Sequence, residues 1–72
     1  MLTFKVKHND GGEEVITDKV HMRMLFGYGV HVRLLVDGPH GAAGTELGLS
    51  TSVALDLLEA GHAEYIGKHQ QI

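Results

Sequence analysis

The chain contains no cysteine and no tryptophan, and a single proline among its 72 residues. Without cysteine it has no disulfides to lean on, and its size makes that matter. A domain this short buries only roughly 60% of the surface its unfolded chain exposes. Stability must come from a tight core, a metal or self-association. The missing cysteine also fits a reducing compartment, or an assembly that does not depend on oxidation. Positive charge is scarce: six Lys and Arg stand against nine Asp and Glu, for a formal net charge of −3. That balance argues against general nucleic-acid binding, which needs many cations to neutralise phosphates. No stretch approaches the ~18 apolar residues of a membrane span. The opening segment alternates Leu2, Phe4 and Val6 with Thr3, Lys5 and Lys7 and has no apolar signal-peptide core. The expected location is the cytoplasm, or a particle assembled there.

What is present is the material of one small folded domain. The hydrophobic fraction of 43% is ordinary for a globular chain, and aliphatic residues recur in strand-like runs. Leu2 to Lys7 has the period of two that marks a half-buried strand. His8-Asn9-Asp10-Gly11-Gly12 is a dense turn signal, since Asp-Gly and Gly-Gly permit positive φ. Glu13 to Thr17 can return as a second strand centred on Val15 and Ile16.

The middle holds two near copies, Val20-His21-Met22-Arg23-Met24-Leu25 and Val30-His31-Val32-Arg33-Leu34-Leu35. With Gly27-Tyr28-Gly29 as a hairpin loop, Phe26 faces Val30, Met24 faces Val32, Met22 faces Leu34 and Val20 faces Val36. Every apolar residue then meets another, and a slip of one residue would mix the faces. The opposite face carries His21, Arg23, His31 and Arg33. The competing reading is a helix from Glu14 to about Leu25, against which the β-branched Val15, Ile16 and Val20 count.

After a turn at Asp37–Gly44, Thr45 to Leu49 reads as a strand. Ser50 is placed to cap a helix over Val53–Ala60, and Gly61 to end it in a left-handed conformation. His62 to Ile66 reads as a last strand. The expected fold is mostly β: a small bent sheet or SH3-like, partly closed barrel of 4–6 short strands, with one short helix near 51–60. Residues 1–72 form a single domain, with 1–29 as an N-terminal arm or hairpin, 30–66 as the core module and 67–72 as a flexible tail.

A pattern spans roughly residues 30–66. Val32-Arg33-Leu34-Leu35 gives "V-x-L-L", and Gly44-Thr45-Glu46-Leu47-Gly48-Leu49 gives "G-x-x-x-x-L". A helix then reads "A-x-x-L-L-x-x-G" from Ala54 through Leu57 and Leu58 to Gly61, and Ala63-Glu64 opens the last strand. This resembles short proteins from the structural gene clusters of tailed bacteriophages. It departs at Ser50-Thr51-Ser52, where such proteins commonly carry Pro and acidic residues, and residues 1–29 lie outside it. The resemblance implies a virion component, either a capsid accessory or decoration protein or a head–tail joining protein. Its partners would be the major capsid protein or other virion subunits.

Motifs for chemistry are missing. The six histidines include no H-x₃-H or HExxH pair, so no zinc site is expected. Asp56 and Glu59, like Asp37 and Glu46, read as solubilising charges rather than an acid–base pair, which would need a cleft. No G-x-S-x-G surrounds Ser50 or Ser52, and the Gly38–Gly44 loop lacks the Lys-Ser/Thr of a phosphate loop. Neither an enzyme nor a cofactor is expected. Two arginines opposed across a hairpin would repel, so Arg23 and Arg33 either form a solvated polar face or hold an acidic group between them: Glu13, Glu14 or Asp18 from a neighbouring strand, a carboxylate on a partner, or a phosphate. Met22, Met24 and Phe26 form an apolar stripe suited to a core or an adaptable interface. Met22, Arg23, Met24, Phe26, Tyr28 and Arg33 are therefore the candidate interface residues of a protein that self-associates and binds capsid subunits. The alternative is a small SH3-like barrel that binds nucleic acid or peptide through His21, Arg23, His31 and Arg33.

Overall fold

The computed structural model describes residues 2–72. In chain order the elements are β1 (Phe4–Lys7), β2 (Glu13–Ile16), α1 (Lys19–Phe26), β3 (Val30–Leu34), β4 (Glu46–Leu49), α2 (Thr51–Glu59), β5 (Ala63–Tyr65) and β6 (Gln70–Gln71). They form two three-stranded antiparallel sheets, ordered β2-β1-β6 and β4-β3-β5. The fold is thus mostly β with short helices, as expected, but the described strands do not close into a barrel.

The first sheet follows from its turn. In the β1–β2 hairpin, His8 N–H donates to Gly12 O at 2.7 Å, and Gly11 turns at φ 88°. The Asp10 carboxylate accepts from Gly12 N–H at 2.8 Å, the local turn bond that favours Asp there. Phe4 pairs with Ile16 and turns inward, and Lys5 pairs with Val15 on the outer face. The residues expected as a loose tail instead supply β6, with Gln71 opposite Phe4 and Gln70 opposite Lys5. Ile72 N–H extends that pairing to Thr3 O at 2.8 Å.

The hairpin drawn from the two near copies is not formed. Residues 19–26 are helical, so the chain has two helices where one was expected. The Asp18 carboxylate caps α1 by accepting from His21 N–H at 2.9 Å, and its other oxygen bonds the His21 ring. Gly27, at φ 65°, stops the helix and donates to Arg23 O at 2.9 Å. An N-cap Asp and a stop Gly bracket a run of good helix formers. Met22 is buried, Leu25 and Phe26 pack beside it, and Val20 and Met24 are left outside. β3 finds other partners on both its edges: Val30 opposes Leu49, Val32 opposes Leu47 and Tyr65, and Leu34 opposes Ala63.

α2 begins differently from expectation. Ser50 occupies the cap position but makes no capping bond with its side chain. Thr51, buried, donates its hydroxyl to Gly27 O at 2.8 Å and so ties the start of α2 to the end of α1. The other end behaves as the sequence implied. Gly61 sits at φ 76°, its N–H reaching Leu58 O, and His62 N–H reaches Leu57 O. These are the two bonds of a Schellman cap.

One core runs through the molecule. It joins Leu2, Phe4, Val6 and Ile16 of the first sheet to Val30, Val32, Leu34 and Ala63 of the second, with Met22 from α1 and Ala54, Leu55 and Leu58 from α2. Where the sheets meet, three rings interlock. Phe4 of β1 lies edge-on to Phe26 of α1 at 5.0 Å and to Tyr65 of β5 at 5.1 Å, and Phe26 and Tyr65 lie 5.5 Å apart. Such edge-to-face pairs add to burial. Gly67 is part of the arrangement, because a Cβ there would fall 2.1 Å from the Tyr65 hydroxyl.

Candidate interaction surfaces

The helical form of α1 redistributes the six candidate interface residues. As a strand, Met22, Met24 and Phe26 would share one face; as a helix they separate. Met22 is buried and Phe26 is half-buried in the aromatic cluster, so both serve the interior. Met24 and Tyr28 face solvent at 75% and 100% exposure, and Arg23 is exposed on the same helix. Val20 belongs with them at 65% exposure. It stands one helical turn before Met24, an i, i+4 pair on α1 that a strand reading conceals. Tyr28 lies past the helix, beyond Gly27.

Arg33 lies elsewhere, on the outer face of the second sheet. It does not oppose Arg23. Its cross-strand neighbours are Glu46 on β4 and Glu64 on β5. Glu46 accepts from Nε at 3.2 Å and from Nη2 at 3.0 Å, and Glu64 accepts from Nη1. Glu46 first and Glu64 second hold the guanidinium pKa above its ordinary value. The carboxylates that compensate its charge are therefore Glu46 and Glu64, not Glu13, Glu14 or Asp18. His31 stands on the same face across from Gly48. The polar face proposed for nucleic acid, His21 and Arg23 beside His31 and Arg33, is therefore divided between α1 and β3.

The remaining histidines are dispersed. His8 bonds Glu14 at 3.1 Å. His40 and His62 line a small apolar depression of about 230 Å³ with Leu34, Val36, Pro39 and Leu57. His69 packs against Phe26 at a ring separation of 5.8 Å, and its N–H donates to the Tyr65 hydroxyl at 3.1 Å. Among the described residues no group of three or more His, Asp or Glu is placed to hold a metal ion. No helix is long and apolar enough to cross a membrane, again among the described residues.

No family model, curated protein or solved structure matches this chain.

Large apolar side chains left outside a small domain, next to its polar faces, are chemically suited to contact with another protein. A fully exposed Tyr and an adaptable Met are favourable anchors for such a contact.

Proposed function

We propose that this protein is a virion structural component of a tailed phage, a capsid accessory or decoration protein or a head–tail joining protein. It acts by self-association and by docking onto capsid subunits. One observation carries the docking reading: Val20 and Met24 on α1, and Tyr28 just past its Gly27 cap, are exposed beside a buried core that already includes Met22 of the same helix. The phage assignment rests on the pattern over residues 30–66. Several of its positions serve the fold: Val32, Leu34, Ala54 and Leu58 are buried and Gly44 and Gly61 take positive φ, whereas Leu35 is exposed. Many copies on a lattice would make even a weak single contact sufficient through avidity.

The test is the mass in solution by light scattering across a dilution series, joined to co-sedimentation with assembled capsid shells. Wild type is expected to form an oligomer or to pellet with shells, and Met24→Asp with Tyr28→Asp to do neither while keeping its circular dichroism. A monomer at all concentrations that ignores shells would overturn the proposal.

A further inference from the structure

The outer face of the first sheet carries a charge distribution at odds with the rest of the chain. Inward-facing Phe4 and Val6 leave Lys5 and Lys7 outside, and the segment leading into β6 brings Lys68 and His69 beside them. These residues, with Glu13 and Gln70, line an open depression of about 550 Å³. Three of the chain's six Lys and Arg thus gather on one surface of a protein whose net charge is −3. Elsewhere Lys19 sits 2.8 Å from Glu59 and Arg33 holds Glu46 and Glu64, while Arg23 lies on α1, outside this depression. Within the depression Glu13 is engaged by Lys5 at 2.9 Å. Lys7 and Lys68 have no carboxylate within ion-pair distance among the described residues.

We infer that this depression is a docking site for an acidic segment of a partner protein, whose Asp and Glu side chains engage Lys7 and Lys68 as Glu13 engages Lys5. Carboxylates fit the site better than a nucleic-acid backbone. Glu13 interrupts any continuous track for phosphates. The one aromatic side chain of its lining, His69, packs against Phe26, so the lining offers no row of stacking rings of the kind single-strand binders use. The overall negative charge repels a polyanion at long range, whereas a short acidic peptide samples mainly the local field within a Debye length of about 10 Å. The site is separate from the exposed α1 residues and stands whether or not α1 docks on a capsid.

The experiment is an amide NMR titration of the full chain with a blocked hexaglutamate peptide at low salt, beside a six-nucleotide oligothymidylate. Shifts are expected around Lys7, Lys68 and Gln70, with saturation by the peptide and weaker binding of the oligonucleotide. Lys7→Glu with Lys68→Glu should weaken peptide binding about tenfold or more, and 0.3 M salt should do likewise. Lys7→Gln with Lys68→Gln should show a smaller loss in the same direction. Arg23→Glu and Met24→Asp should leave the affinity unchanged, which separates this site from the α1 surface. The inference is overturned by any of three results: no peptide binding at low salt, equal loss with Arg23→Glu, or tighter binding of the oligonucleotide at the same residues.

Discussion

Val20–Leu25 and Val30–Leu35 share the frame V-H-x-R-x-L, yet the first lies within α1 and the second begins β3. The two structures sort equivalent positions differently. Val20 is exposed while Val30 is buried, and Met24 is exposed while Leu34 is buried. Only the third position, Met22 and Val32, is buried in both. Two causes lie outside the hexapeptides. Asp18 and Gly27 cap and stop the first copy, whereas the second follows Gly29 and has a partner strand on each side. A third cause lies within: Met at two positions favours a helix, and β-branched Val32 favours a pleated strand. An apolar alternation of six residues is too short to separate a period of 2 from one of 3.6 by itself.

The sharpest contrast is at the fifth position. Leu34→Ala should destabilise the protein by about 3 kcal/mol through an interior cavity, and Met24→Ala by no more than about 0.5 kcal/mol. Paired urea titrations measure both. Equal losses would mean that the two copies are buried alike and that the comparison is wrong.

Converting the first copy into the second asks whether flanks or hexapeptide decide. Met22→Val with Met24→Leu reproduces VHVRLL within α1. The flanks are expected to hold the helix, at a cost of about 1 kcal/mol from lower propensity and a smaller buried side chain. Backbone chemical shifts of residues 19–26 report the outcome, and strand-like values would assign the decision to the hexapeptide.

The smallest effect concerns the cap that only the first copy has. Its hydrogen bond to Asp18, then the charge of Asp18, raises the His21 pKa, and the same contact lowers that of Asp18. Protonated His21 therefore favours the folded cap. That contribution is full below the unfolded histidine value and is lost as pH rises through the raised folded value. Amide exchange in the first turn of α1 should accelerate over that range beyond the ordinary base-catalysed rise, and Asp18→Asn should remove the excess. His69 works in the opposite sense. Its burial lowers its pKa, with a smaller contribution from Lys68, so its contribution is present above the ordinary histidine value and is lost on acidification.

Much of the second half was legible because its signals are local and do not compete. Val30, Val32 and Leu34 alternate with His31 and Arg33, Ala54 and Leu58 lie on one helical face, and Gly61 ends that helix where only a positive φ serves. The β1–β2 hairpin was equally open to reading through Asp10 and Gly11. Around Val20 the sequence supports two structures: pairing apolar residues across Gly27-Tyr28-Gly29 gives a self-consistent strand register, and the capping pair Asp18 and Gly27 supports the helix that forms. The candidate surface changes with it: of the stripe suited to a core or an interface, Met22 and Phe26 serve the interior and Met24 does not, and Val20, set against Val36 in the hairpin, is exposed. The acids that meet Arg33 are Glu46 and Glu64 rather than Glu13, Glu14 or Asp18, because they come from strands whose pairing no local pattern specifies.

The sequence by itself determined the class of this protein. A small fold rich in strands, with turns at its glycines and no disulfide, follows from composition and from patterns a few residues long. Only the tertiary structure decided which face of α1 is buried, that Gln70 and Gln71 close onto β1, and that Lys7 and Lys68 meet on one surface. The physical reason is the range of the forces. Turn and cap preferences act within about one helical turn of chain. Burial and charge depend on which segments become neighbours, and that is settled only when the two sheets and two helices complete one core.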